Sequence, residues 1–390
     1  MTYDRFSPMI RRLKPSSTLA VLDASRRLEQ QGKHIIHLEL GEPDIPSPPS
    51  VKQAIQQALA EDFTQYTVSR GILPLRQAIA QYYSDQFGVN NVDPATQVIA
   101  TPGGKSAIFY TILQLVAEGD EVIIPTPAWV SYASLVEFAG GTPVYVDAYC
   151  EEGGVDVDRL RQAITDRTKL LILNYPTNPT SRVISDEKYR ELANLVAEHP
   201  NLMLMSDEIY SELAYKGLSP SFLSFPSIRD QLILVSGFSK SHSMTGYRLG
   251  YAVAPEEFVA KMAALQSNSS TCPASFVQKA GIAALGDREH VQRARRIFEE
   301  RASLVTDLMA EIPGVHLDPP EAAFYAFPRI EGAKKDFAVQ LLEQGGVAGT
   351  PGCAFGPPCE EHIRLSFATS EDNIREGLKR LKTFVVSYRG

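Results

Sequence analysis

Clustered metal ligands and paired thiols are what this chain most plainly lacks. Its four cysteines, Cys150, Cys272, Cys353 and Cys359, form no CxxC pair, and its seven histidines do not group. No metal is therefore expected, and the thiols read as reduced and structural, which fits a cytoplasmic protein. Basic residues are outnumbered 38 to 46, and the formal charge of -8 argues against nucleic acid or an anionic membrane as the main partner. Apolar runs stay far short of the roughly 20 residues of a membrane span. Residues 1–12 carry charges without the apolar core of a signal sequence, so no export is expected. Repeats, low-complexity tracts and Gly- or Ser-rich linkers are missing as well.

What is present is a large apolar content, 44% of 390 residues, enough for two or three domain-sized cores. Short apolar runs at 98–100, 121–124, 144–147, 170–173, 202–205, 232–235 and 249–253 alternate with helical patterns. That rhythm predicts an α/β layer with a mainly parallel sheet between helices. A charged amphipathic helix is expected over 281–308, followed by shorter strands and two helices. The division expected is a large domain over 41–285, a smaller α+β domain over 286–390, and a segment 1–40 packed against the smaller one.

In a parallel sheet the ligand lies beyond the carboxyl ends of the strands, so the residues after each run form a set to be checked. The richest is Ser236-Gly237-Phe238-Ser239-Lys240-Ser241-His242-Ser243-Met244-Thr245-Gly246-Tyr247-Arg248. An amine condenses with an aldehyde cofactor only when partly unprotonated, so Lys240 must fall from a pKa of about 10.4, which burial beside a cation achieves. Ser239 and Arg248 are spaced to hold a phosphate from two sides. A lone Ser-Lys pair also describes a solvated loop, so the other strand ends decide. Gly103-Gly104-Lys105 opens a helical pattern, as an anion site or as an ordinary turn. Trp129, the sole tryptophan, is placed to stack on a planar ring or to fill a core. Asn178 sits in a Pro-stiffened loop, as a donor to a phenolic oxygen or as a self-satisfied turn. Asp207 ends a buried apolar run, where a carboxylate needs a partner such as a pyridinium, and Tyr210 follows three residues on. Arg364 interrupts an apolar strand, to bind a carboxylate or to form a buried ion pair.

Together these residues resemble the fold type I pyridoxal phosphate aminotransferases, and most closely the bacterial subgroup Ib aspartate aminotransferases. The likeness runs through Lys14-Pro15-Ser16-Ser17-Thr18, Gly41-Glu42-Pro43-Asp44, Tyr66, Gly71, Leu75-Arg76, Gly103-Gly104-Lys105 and Trp129-Val130-Ser131-Tyr132. It continues through Asn178-Pro179-Thr180, Ser206-Asp207-Glu208-Ile209-Tyr210, the Lys240 segment, Ala323-Phe324-Tyr325 and Ile363-Arg364-Leu365-Ser366. The resemblance implies pyridoxal 5'-phosphate as cofactor, with Lys240 as Schiff-base residue and proton shuttle. It implies Asp207 at the pyridinium, Asn178 and Tyr210 at the ring oxygen and Trp129 against the ring. Gly103, Gly104, Ser239 and Arg248 are then the cofactor's phosphate-binding residues, with Lys105 also beside the cofactor.

Tyr66 is implied to reach the phosphate of a neighbouring subunit in a homodimer with shared active sites. Arg364, Asn178 and the Gly41 backbone are implied to hold the substrate α-carboxylate, and Lys105, Ser16 and Thr18 a side-chain carboxylate. The implied reaction is ping-pong transfer of an amino group from an L-amino acid, aspartate first, to 2-oxoglutarate. Ser181, Ala128, Tyr247 and Ala322 stand where glycine, an aromatic residue, tryptophan and glycine are usual. Those departures leave an aromatic or prephenate-type donor, or a β-eliminating lyase, as alternatives.

Overall fold

The computed structural model describes residues 6–13, 17–149 and 154–388. Seven strands form the central sheet: β1 (Val98–Thr101), β2 (Glu121–Thr126), β3 (Thr142–Asp147), β4 (Thr168–Asn174), β5 (Met203–Asp207), β6 (Leu232–Gly237) and β7 (Gly250–Val253). Their spatial order is β1-β7-β6-β5-β4-β2-β3. Strands β2 to β6 are parallel neighbours, whereas β7 runs antiparallel to both β6 and β1. Six carboxyl ends therefore share one edge of the sheet, and only β7 enters from it.

The sequence pattern explains the burial. Along a strand successive side chains point to opposite faces. Ile123, Leu171, Leu173, Leu204 and Leu234 join one apolar cluster, while Val122, Ile124, Leu170, Ile172, Met205 and Ile233 join another. Helices cover both faces, which is why the runs are apolar throughout rather than alternating. A third cluster gathers Leu38, Phe298, Phe324, Leu365, Leu378 and Leu381, and strand Ile36–His37 pairs in parallel with Val347–Ala348 beside it.

One element differs from the periodicity. The expected helix over 281–308 is two helices, Ser275–Gly286 and Arg288–Ala310. Asp287 separates them because its carboxylate accepts the His290 N–H, capping the second helix and ending the first. Among the described residues no helix is long and apolar enough to cross a membrane.

Candidate active site

The glycines after β1 are dictated by close approach. Gly103 has φ of +82° and precedes helix Gly104–Leu115, whose N-terminus carries no side-chain cap. A Cβ on Gly103 would collide with the Arg248 guanidinium, and one on Gly250 would collide with the Gly104 amide. Side-chain-free backbone, uncapped N–H groups and a guanidinium thus converge at one helix N-terminus, the arrangement that holds an oxyanion. Lys105 projects from the same turn with its Nζ 4.8 Å from the centre of the Trp129 ring. Burial, and then Arg248, lower the Lys105 pKa.

The antiparallel return into β7 folds the segment after β6 across the sheet edge. Ser239 is buried there. Lys240 Nζ donates to the Gly41 carbonyl at 2.5 Å. Desolvation, and then Arg364, bring the Lys240 pKa from 10.5 to about 8. At neutral pH about a tenth of such an amine is unprotonated, against about three in ten thousand for an ordinary lysine.

Asp207 is the last residue of β5. Desolvation raises its pKa from 3.8 to about 6, opposed by a 2.6 Å hydrogen bond from Tyr132 and one from the Ile209 N–H. The Asn174 amide donates to the Asp207 carbonyl and accepts the Asn178 N–H, both at 2.9 Å. Arg364 is only 3% exposed. Its Nη1 donates to Asn178 Oδ1 at 3.0 Å, and its Nη2 to the Glu39 carbonyl at 2.6 Å and Thr350 Oγ1 at 3.3 Å. Tyr325 packs its ring 4.7 Å beneath the guanidinium and shares a 2.8 Å hydrogen bond with Tyr210. None of these hydrogen-bond acceptors on Arg364 is a carboxylate, and among the described residues its Nε has no hydrogen-bond partner. A buried guanidinium that bonds only neutral acceptors has capacity left for an anionic ligand.

Residues 33–381 match the family model for class I and II aminotransferases. The chain belongs to that family. It is 38% identical to the aspartate aminotransferase of Sulfurisphaera tokodaii, over 99% of this chain and 98% of that protein. It is 36% identical to the aspartate/prephenate aminotransferase of Cereibacter sphaeroides, over 97% of this chain and 98% of that one. Among solved structures, the aspartate aminotransferase from Thermus thermophilus with maleate superposes with a TM-score of 0.91. It is 38% identical, and the match covers 97% of this chain and 99% of that one. The protein is thus a pyridoxal phosphate-dependent transaminase of fold type I.

The residues fit that cofactor. The anion cradle, the depressed lysine and the strand-end aspartate lie along one edge of the aminotransferase sheet, on the ends of β1, β6 and β5. Sequence reading places Lys240, Asp207, Asn178, Gly103, Gly104, Arg248 and Arg364 in one neighbourhood: Arg248 lies against Gly103, Arg364 bonds Asn178, Asn174 joins Asn178 to Asp207, and the charges of Arg364, Arg248 and Asp207 all act on Lys240. It missed three roles: Tyr132 as donor to Asp207, Tyr325 as floor of Arg364, and Glu39 with Thr350 as its acceptors. Tyr132 had a signal, since it lies one helical turn from Trp129.

Tyr66 is 87% exposed on its own subunit. Ser16 lies outside the described residues, as does the side chain of Thr18, whose backbone is in helix Ser17–Gln30. The four departures are accommodated. Ala128 N–H donates to the Phe355 carbonyl, the Tyr247 hydroxyl shares a 2.7 Å bond with Ser47, Ala322 bridges Ala214, and Ser181 is described below.

Proposed function

We propose that the aminotransferase moves the amino group of aspartate to 2-oxoglutarate in two half-reactions at one site. The observation that carries this reading is Arg364: buried, hydrogen-bonded only to neutral acceptors, and next to an amine that it helps to discharge. Bound pyridoxal phosphate supplies an aldehyde that takes and returns an amino group, and a ring that draws electrons from a substrate α-carbon. The Gly103–Gly104 backbone, Ser239 and Arg248 would hold its phosphate. Asp207, kept ionised by the Tyr132 hydrogen bond, would hold its pyridine nitrogen, Asn178 and Tyr210 its ring oxygen, and Trp129 its face.

Arg364, Asn178 and the Gly41 backbone orient the substrate α-carboxylate. Lys240 Nζ would take the substrate's α-proton and carry it, which requires the unprotonated amine that burial provides. Lys105, Ser16 and Thr18 receive a second carboxylate, which selects aspartate and glutamate. The protein works as a cytoplasmic homodimer, each Tyr66 completing the phosphate site of the other subunit. The separate cluster around Leu38, Phe298 and Leu365 supports a small domain over 286–390 with segment 1–40 beside it, next to a large domain over 41–285.

The test mixes the purified holoenzyme with single amino acids and no acceptor, following the cofactor's absorbance. Aspartate and glutamate should convert fastest, and Lys105→Ala should slow aspartate about ten- to a hundredfold while sparing phenylalanine, the value of a charged hydrogen bond. Conversion led by phenylalanine, tyrosine or prephenate's amino product would move the assignment to the aromatic or the prephenate-type reading, the second of which the Cereibacter relative's name carries beside aspartate. Oxo acid released over many turnovers without acceptor would make the enzyme a lyase.

A further inference from the structure

Ser181 is fully buried, and its φ of +54° is a left-handed conformation that serine adopts at a cost glycine escapes. All three of its polar groups are engaged. The N–H donates to the Thr177 carbonyl at 2.8 Å, the carbonyl accepts the Glu321 N–H at 2.9 Å, and Oγ accepts the Tyr325 N–H at 3.1 Å. That last bond spans 144 residues of sequence. It ties the Pro-stiffened loop carrying Asn178 to the strand carrying Tyr325.

The tie closes a circuit. Asn178 accepts from Arg364, the Arg364 guanidinium lies on the Tyr325 ring, the Tyr325 N–H bonds Ser181, and Ser181 lies three residues beyond Asn178. Every link except Ser181 belongs to the grip on the α-carboxylate. A strained backbone position persists where its surroundings over-determine it, and the partner that uses the strained side chain here is Tyr325.

We propose that Ser181 is a positioning residue: its hydroxyl fixes Tyr325 beneath Arg364 and thereby sets the strength of the grip on the substrate carboxylate. The inference rests on the aminotransferase reading of this site. It extends that reading to a residue that touches neither cofactor nor substrate.

The experiment compares holoenzyme with Ser181→Ala and Ser181→Gly by three readouts: calorimetric Kd for maleate, KM and kcat for the preferred amino donor, and Tm. Both variants lose the hydroxyl, but only glycine relieves the left-handed backbone. Both should therefore raise the maleate Kd and the donor KM about fivefold, equivalent to about 1 kcal/mol for one hydrogen bond, with kcat within about twofold. Their Tm values should part, Ser181→Gly at or above wild type and Ser181→Ala below it. If Kd instead follows Tm, weakened in the alanine variant and normal in the glycine one, Ser181 has only a structural role and the inference falls. Unchanged Kd in both variants of an active enzyme overturns it equally. A wild type that transaminates nothing and binds no maleate overturns the functional reading, and this inference with it.

Discussion

Lys240 meets two opposed demands in a single side chain: it must lose a proton near neutral pH, yet lie within reach of Asp207, whose negative charge favours keeping it. Burial wins, with Arg364 second, so the amine titrates at about 8 instead of 10.5. The sign follows directly. Below 8 the protonated form dominates and cannot attack an aldehyde, and as pH rises through 8 the reactive form fills. The rate at which apoenzyme takes up pyridoxal phosphate should therefore climb with pH and level off above about 8, measured by stopped-flow absorbance. Replacing Arg364 by Met removes the second cause but not the first, so the midpoint should move up. A midpoint that stays put would show that Arg364 does not tune the lysine. This residue was legible in the sequence because small neighbours, a phosphate-capable Ser/Arg pair and a following apolar run mark it together. The partners of Arg364 were not legible, because two of its three hydrogen bonds go to Glu39 and Thr350, positions with no local pattern of their own.

Among the elements, strands were easier to read than their directions. Apolar runs announce burial, and all seven expected strands are present, but a run carries no arrow. The antiparallel β7 therefore emerged only from pairing. The break at Asp287 was hidden for a similar reason: apolar spacing continues across it, and only the capping bond to His290 interrupts the backbone. Helix Ser131–Ala139 shows how an element serves chemistry at a distance, since it lays the Tyr132 hydroxyl 2.6 Å from Asp207 at the end of β5. Desolvation has already raised Asp207 to about 6, and the Tyr132 bond is the largest of the interactions that hold it from rising further, ahead of the Ile209 N–H and Lys240. In Tyr132→Phe the pKa should climb toward neutrality and the carboxylate should be partly protonated at pH 7. Loss of a hydrogen bond to a charged group then predicts pyridoxal phosphate affinity about ten- to a hundredfold weaker at pH 7, recovering as pH rises. A spectroscopic titration at pH 7 and pH 8.5 checks both parts, and a deficit independent of pH would refute this account of Tyr132.

For the whole molecule, the proposed dimer places its own demand on the surface. Leu59, Tyr66, Val68 and Leu73 are all exposed within one short stretch of sequence, Val68 by 63%. Val68→Asp should place a charge in the subunit interface, shifting the mass seen by light scattering from about twice 42.9 kDa toward the single-chain value. Cofactor affinity should fall with it, as the partner's Tyr66 is lost. A variant that remains dimeric would place the interface elsewhere.

The hydrogen bond from Arg364 to the Glu39 carbonyl spans 325 residues, whereas Gly103, Asp207, Lys240 and Arg248 all lie within the first 248. A ribosome making this chain therefore adds Gly103, Asp207, Lys240 and Arg248, the groups proposed to hold the cofactor, more than a hundred residues before Arg364, the guanidinium proposed to bind the amino acid. The guanidinium can reach its Glu39 acceptor only once strand Ile363–Ser366 has been made and the Ser366 N–H laid against the Leu38 carbonyl, so the proposed grip on a substrate is the last part of the site to be assembled.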